Sequence, residues 1–164
     1  MSASRDRRQE PQGSRRLPAG FTLIELLIVV AIIGIIAALA IPNLRNAIDR
    51  AKQKGTMANM KAIGNALEMY AVDNNTYPRG LTDATGPVIG SFIAPLHIRS
   101  VPPADGWSGP WHIDTNASGT VYTITSYGRD AIPGVNSGGP TTDLNCDIVY
   151  SNNSFWQWPE GQQQ

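Results

Sequence analysis

The hydropathy of the chain changes regime at residue 42. From Phe21 to Ile41 the residues are mostly Ile, Leu, Val and Ala, with one charge, Glu25, near the start. At 1.5 Å per residue those 21 positions make a helix of about 31 Å, close to the roughly 30 Å hydrocarbon core of a bilayer. A membrane-spanning helix is expected there. Gly34 is compatible with it, because membrane helices accept Gly where another helix packs closely. After Pro42 the chain turns polar without a Gly/Ser linker. Ile63, Leu67, Tyr70 and Ala71 recur at the 3–4 spacing of one helix face, while Arg50, Lys52, Lys54 and Lys61 fall largely elsewhere. The span is therefore predicted to continue as an amphipathic helix to about residue 73. Pro42 can kink it without breaking it. Gly55 and Gly64 are weak points, each about 1 kcal/mol worse than Ala. Asp73-Asn74-Asn75-Thr76-Tyr77-Pro78 stops it, since Asn favours a left-handed cap and Pro cannot continue.

Residues 79–110 are rich in Gly, Pro and Ser, with short apolar pieces at Ile89–Ile93 and Leu96–Ile98; Pro102-Pro103 precludes regular helix there. Beyond them the pattern is that of strands. Trp111-His112-Ile113 and Thr120–Thr125 flank Asn116–Gly119, and Asp147–Tyr150 and Phe155–Trp158 flank Ser151–Ser154. Both read as hairpins, and Asn152 and Asn153 tolerate the positive φ of a tight turn. The predicted fold class is α+β: a long helix, membrane-spanning then amphipathic, packed on a small antiparallel β-sheet. Val121, Ile124, Ile148 and Trp156 are candidates to cover the Ile63/Leu67/Tyr70 face. Trp107, Trp111, Trp156 and Trp158 are expected to serve this core. The organisation is a leader (1–20), a span (21–41), an amphipathic helix and its stop (42–77), a loop and sheet region (78–160) and a tail (161–164).

Charge changes the picture at the N-terminus. Five arginines stand against Asp6 and Glu10 in residues 1–20, and the rest of the chain holds eight basic and eleven acidic residues. Positive charge before an apolar span keeps that side cytoplasmic, so the body is expected outside. The mildly acidic body, without a basic patch, gives no sign of nucleic-acid binding. The single cysteine, Cys146, excludes an intrachain disulfide and reads as a small buried residue in a strand-leading loop, the alternative being an intermolecular or reactive role. His97 and His112 show no partner at ligand spacing and read as structural. No nucleophile motif, phosphate loop or Cys-x-x-Cys is present.

Three readings of the apolar run compete. One is a plain anchor. A second is a secretory signal peptide, with Ala38-Leu39-Ala40 as its cleavage site and a mature start at Ile41; the run is long for that, and Glu25 is out of place. The third rests on Gly20-Phe21-Thr22-Leu23-Ile24-Glu25 and Pro42, which resemble the signal of the type IV filament family, meaning type IV pilins and type II secretion pseudopilins. The resemblance implies cleavage between Gly20 and Phe21 by a prepilin peptidase, N-methylation of Phe21, and retention of the span. A charge at mid-bilayer costs about 2.5–3.5 kcal/mol on insertion scales. Pairing Glu25 of one subunit with the new amino terminus of another would offset that and set their stagger.

Ser126-Tyr127-Gly128-Arg129-Asp130-Ala131 and Asp143–Ile148 enclose a glycine-rich stretch. On the residues alone this is a solvated loop whose acids cap turns, or an oxygen-lined calcium site. It is similar to the C-terminal loop of the major type II secretion pseudopilin, which implies calcium held by Asp130, Asp147 and the Tyr127 carbonyl. Ala131 stands where that family has Gly, and Cys146 where it has a first Asp, so Asp143 would have to substitute. The expected function is a non-enzymatic pseudopilus subunit that drives protein export. It would sit in the bacterial inner membrane, with its N-terminus cytoplasmic and its C-terminal domain periplasmic. Its partners would be the prepilin peptidase, identical subunits, minor pseudopilins, the inner-membrane platform and membrane lipid. The alternatives are a type IV pilin and a monomeric anchored or secreted enzyme.

Overall fold

The computed structural model describes residues 20–161; the leader except Gly20, and the last three residues of the tail, lie outside the described residues. One helix, α1 (Leu23–Asn74), runs through both hydropathy regimes, with Pro42 inside it. A short helix, α2 (Gly86–Ile93), follows. Five strands complete the fold: β1 (His112–Thr115), β2 (Tyr122–Ser126), β3 (Gly139–Thr141), β4 (Ile148–Ser151) and β5 (Ser154–Pro159). They form one sheet in the order β1-β2-β4-β5-β3, antiparallel except for the β3–β5 pair.

The chain separates into two units at Ile41/Pro42. In the first, large apolar side chains from Leu23 to Ile41 stand exposed along the helix. Aqueous solvent is a poor environment for such a surface, whereas lipid or other helices suit it.

The second unit has its own core. Met57, Met60, Ile63 and Leu67 of α1 are buried with Trp111, Ile113, Tyr122, Ile124, Ile148, Tyr150 and Phe155. Gly64 lies at the centre of this contact: a Cβ there would collide with the Tyr150 ring and come within 3.0 Å of the Tyr122 hydroxyl. The residue expected to weaken the helix is what lets the sheet approach it. Gly55 has open space and no such role. Asn75, at φ 60°, takes the left-handed conformation expected after the helix.

Strand alternation corrects two of the four proposed core residues. Ile124 and Ile148 are fully buried, but Val121 and Trp156 are exposed. Tyr122 and Phe155 take the inward positions, and a neighbour one residue along a strand points to the opposite face. Of the tryptophans, Trp111 is buried, Trp107 and Trp158 are half-buried against the core, and Trp156 faces out. The β4–β5 hairpin turns through Asn152 and Asn153, both at positive φ, and Asn116 closes the β1–β2 connection by accepting from the N–H groups of Thr120 and Val121.

Candidate functional site

Two regions carry the residues singled out above. The first is the start of α1. Thr22 is the N-cap, and the helix begins at Leu23. Its hydroxyl accepts from the Glu25 N–H at 3.3 Å and donates to Glu25 Oε2 at 2.7 Å, while its own N–H donates to Oε2 at 2.9 Å. This is a reciprocal capping box, which satisfies two otherwise orphaned donors. Phe21 stands just before it, exposed. The box was missed in the sequence, although Thr-x-x-Glu before an apolar run is its signature. Glu25 is thus held at a defined angle by its own subunit, with no cation supplied by residues 21–44.

α1 also carries a second pattern. On the face of its latter half turned away from the core lie Leu44, Ile48, Ala51, Gly55, Ala58, Ala62, Asn65, Met69 and Val72, all exposed. Their steps alternate between four and three residues, a 3.5-residue repeat that suits packing against another helix. Only Asn65 in this row is polar.

The second region is the loop between β2 and β4. Ser126 Oγ donates to Asp105 Oδ2 at 2.6 Å, and Asp105 Oδ1 accepts from the N–H groups of Trp107 and Gly109. Gly106 N–H reaches Thr56 Oγ1 on α1 at 2.9 Å. Arg129 N–H bonds to the Leu144 carbonyl, and its guanidinium reaches Asn145 Oδ1 at 3.0 Å and Asp49 Oδ2 of α1 at 3.5 Å. The loop's two arms are thereby tied to each other and to the helix.

Asp147 is buried, and both its oxygens accept from Gly134 N–H, at 3.2 and 3.1 Å. Burial raises its carboxyl above the ordinary range; the Gly134 N–H opposes this, and the Asp130 charge adds to it. Asp130 and Asp147 are therefore electrostatic neighbours. Asp143 holds a local turn: its Oδ1 accepts from Asn145 N–H at 2.9 Å and its carbonyl from Cys146 N–H. Among the described residues no three His, Cys, Asp or Glu side chains converge as a metal cluster. Tyr127 stacks on His112 at 3.9 Å between ring centroids, and burial, then Asp83, Asp147 and Asp114, raises its phenol. His112 also pairs with Asp83, and the nearly buried His97 ring lies 3.8 Å from Asp73, so both histidines have acidic neighbours that the sequence did not reveal. Asp130 and Asp147 are hard oxygen donors of the type a divalent cation takes, and Asp130 Oδ1 accepts from Ile132 N–H at 3.2 Å.

Ala131 explains a detail of the motif. Its φ is 55°, the left-handed region that favours glycine. Gly128 is at φ 68°, and a Cβ there would approach the Cys146 carbonyl to 2.8 Å.

The chain matches two family models. The prokaryotic N-terminal methylation motif covers residues 15–41, and type II secretion system protein G covers residues 43–146. Among its relatives are proteins called type II secretion system core protein G. That of Klebsiella michiganensis is 32% identical over 73% of this chain and 89% of its own length. That of Pseudomonas aeruginosa is 34% identical over the same shares, and that of Vibrio cholerae 33% identical over 70% and 85%. With the signal at its N-terminus and the protein G match across the body, the chain belongs to the type II secretion system protein G family, the major pseudopilins.

Proposed function

We propose that this protein is cut between Gly20 and Phe21, N-methylated at Phe21, and polymerised into a periplasmic pseudopilus that drives protein export across the outer membrane. The observation that carries this reading is the joining of the two matched segments in one helix: the methylation signal opens α1, and the protein G body begins at its Asn43. Before assembly the subunit spans the inner membrane once, with its N-terminus cytoplasmic. A prepilin peptidase and methylase act on its leader. Minor pseudopilins and the membrane platform are its further partners, and copies of itself its main one.

Each residue has a task in this scheme. Gly20 gives the peptidase close access to the scissile bond. Cleavage creates a positive amino group on Phe21. The capping box holds Glu25 where a neighbouring subunit's amine can reach it, and in hydrocarbon that pairing far exceeds a surface ion pair. The 3.5-residue row from Leu44 to Val72 extends helix packing beyond the span. Asp130 and Asp147, with the Tyr127 carbonyl, hold calcium, which supplies positive charge to a loop that has two carboxylates to neutralise; Asp143 keeps its local turn.

Mass spectrometry of the mature protein tests the reading. The expected N-terminus is N-methyl-Phe21. A start at Ile41 would replace the filament subunit by a secreted soluble domain, and an uncut chain by a plain anchor.

A further inference from the structure

An open concavity of about 430 Å³ lies beside the first turns of α1 after Ile41. Small-ligand sites are typically about 300–1,000 Å³. Its walls are Pro42, Arg45, Asn46, Ile48, Asp49 and Arg129. Asp49 is already engaged, accepting from the Arg129 guanidinium at 3.5 Å and from Trp107 Nε1 at 3.4 Å. Arg129 also donates from Nε to Asn145 Oδ1 at 3.0 Å, and its side chain remains 45% exposed. The side chains of Arg45 and Asn46 have no hydrogen-bond or ion-pair partner among the described residues. The site thus offers one free guanidinium, a second half-free, and an amide.

Its place in the chain is informative. Arg45 is four residues past Ile41, about 6 Å along a helix. The polar headgroup layer adds about 5–8 Å on each side of the hydrocarbon core. The charge count points the same way. Five arginines precede the span, and Arg45, Arg50, Lys52, Lys54 and Lys61 follow within twenty residues, against Asp49 alone. Removal of the leader strips the first set and leaves the second. Within about 14 Å of Ile41 lie Arg45 and Arg50 against Asp49, and basic residues on the outer side run against the usual bias of membrane proteins, so Arg45 is the charge placed to meet an anionic headgroup.

We propose that this concavity binds the phosphate of an anionic phospholipid in the leaflet facing the body, an inference that rests on the membrane-spanning, leader-cleaved reading above. Arg45 supplies bidentate donors to the phosphate oxygens, and Arg129, oriented by Asp49, supplies a second set. Asn46 offers an amide to a headgroup hydroxyl, and Pro42, the lining residue next to the span, meets the start of the acyl chains. A bound lipid holds the unassembled subunit in the bilayer, and a subunit entering the fibre leaves it behind.

The test uses the full-length mature protein in nanodiscs of phosphatidylcholine alone or with about one-third phosphatidylglycerol, read by native mass spectrometry. Phosphatidylglycerol should be retained preferentially on the released protein. A basic residue near an anionic surface contributes about 1 kcal/mol, so Arg45→Ala should reduce retention about fivefold. Arg45→Lys should restore part of it, and Arg99→Ala, an exposed charge elsewhere, should change nothing. Thermal melting of each variant checks folding. Equal losses from Arg45→Ala and Arg99→Ala would reduce the effect to net charge and overturn the site. So would equal retention of the two lipids. Stabilisation of the protein in phosphatidylcholine discs by free glycerophosphate alone, without lipid preference, would make it a soluble-phosphate site and overturn the lipid assignment. A chain recovered outside the discs overturns the membrane reading and this site with it, whereas insertion without enrichment overturns the site only.

Discussion

The start of α1 and the β2–β4 loop each hold a carboxylate against backbone N–H groups, and they differ in what that leaves over. Glu25 is exposed and makes three mutual bonds with Thr22. It is fully engaged with its own cap, but residues 21–44 supply no cation to its charge. Asp147 is buried, shares a single N–H between its two oxygens, and feels the charge of Asp130. One region is geometrically finished and electrically open toward another molecule. The other is electrically crowded. A carboxylate on a surface meant for hydrocarbon asks for another subunit, and a carboxylate pair inside a loop asks for a cation.

The largest expected effect comes from removing the first of these. Glu25→Ala should leave insertion and leader cleavage intact and abolish filaments, scored by chemical cross-linking of neighbouring subunits in intact cells. It also deletes half the capping box, a loss of about 1 kcal/mol. Thr22→Val separates the two causes, since it breaks the cap and keeps the charge. If assembly depends on charge pairing, Thr22→Val retains most filaments. If both variants fail alike, the cap geometry and not the counter-charge is what assembly needs, and the contrast with Asp147 narrows to burial.

The second region should respond to pH and, if the proposed site binds it, to calcium. Burial, and then Asp130, hold the Asp147 carboxyl above its ordinary value, partly opposed by Gly134 N–H. The folded state therefore binds that proton more tightly than the unfolded chain does. In metal-free protein this group makes stability greatest at low pH and lowers it as pH rises through the carboxylate range. Asp147→Asn removes the group: an amide oxygen can still accept from Gly134 N–H, so after chelation the variant should match or exceed the parent at neutral pH. With calcium the order should invert. At a hundred times its dissociation constant an ion that binds only the folded state adds about 2.7 kcal/mol, and the variant should gain little of this. Melting curves at two pH values, with calcium and with chelator, give all four comparisons. An identical calcium response in parent and variant removes Asp147 from the site.

What could be read in advance follows the same divide between local and distant causes. Gly20–Glu25, the stop at Asn75 and the Asn152-Asn153 turn depend on near neighbours in sequence, and their positions were legible. The Thr22–Glu25 box was local too and was overlooked beneath the stronger membrane signal. Partners far apart in sequence were not legible. Gly64 reads as a helix defect until Tyr122 and Tyr150 are brought onto it. β3, Gly-Pro-Thr, has no strand propensity of its own and exists because β5 offers an edge. α2 contains two glycines and a proline, but the proline lies in the first turn, where it forfeits no bond, and Ile89 and Ile93 reach the core. The inward or outward sense of Trp156 depended on a one-residue choice of alternation. Asp143 and Asp130 each accept a local backbone N–H on one oxygen, from Asn145 and Ile132, turn bonds that the family motif does not announce.

The smallest effect is the sharpest check on the loop's backbone. Ala131 adopts φ 55° without the glycine that this conformation favours. A left-handed L-residue costs on the order of 1–2 kcal/mol, while glycine gives back part of that through its greater freedom in the unfolded chain. Ala131→Gly should therefore stabilise the protein by about 1 kcal/mol or less. For a unit of this size that is a rise in Tm of about 2–8 °C. The gain should appear with and without calcium, because it comes from the backbone and not from a ligand. If it appears only when calcium is bound, the left-handed turn at Ala131 belongs to the ion-bound loop alone, and the free loop relaxes out of it. A fall in Tm in both conditions would mean that the Cβ of Ala131 makes packing contacts worth more than the strain. The departure from the family's glycine would then be an adaptation of this chain's loop and not a tolerated defect.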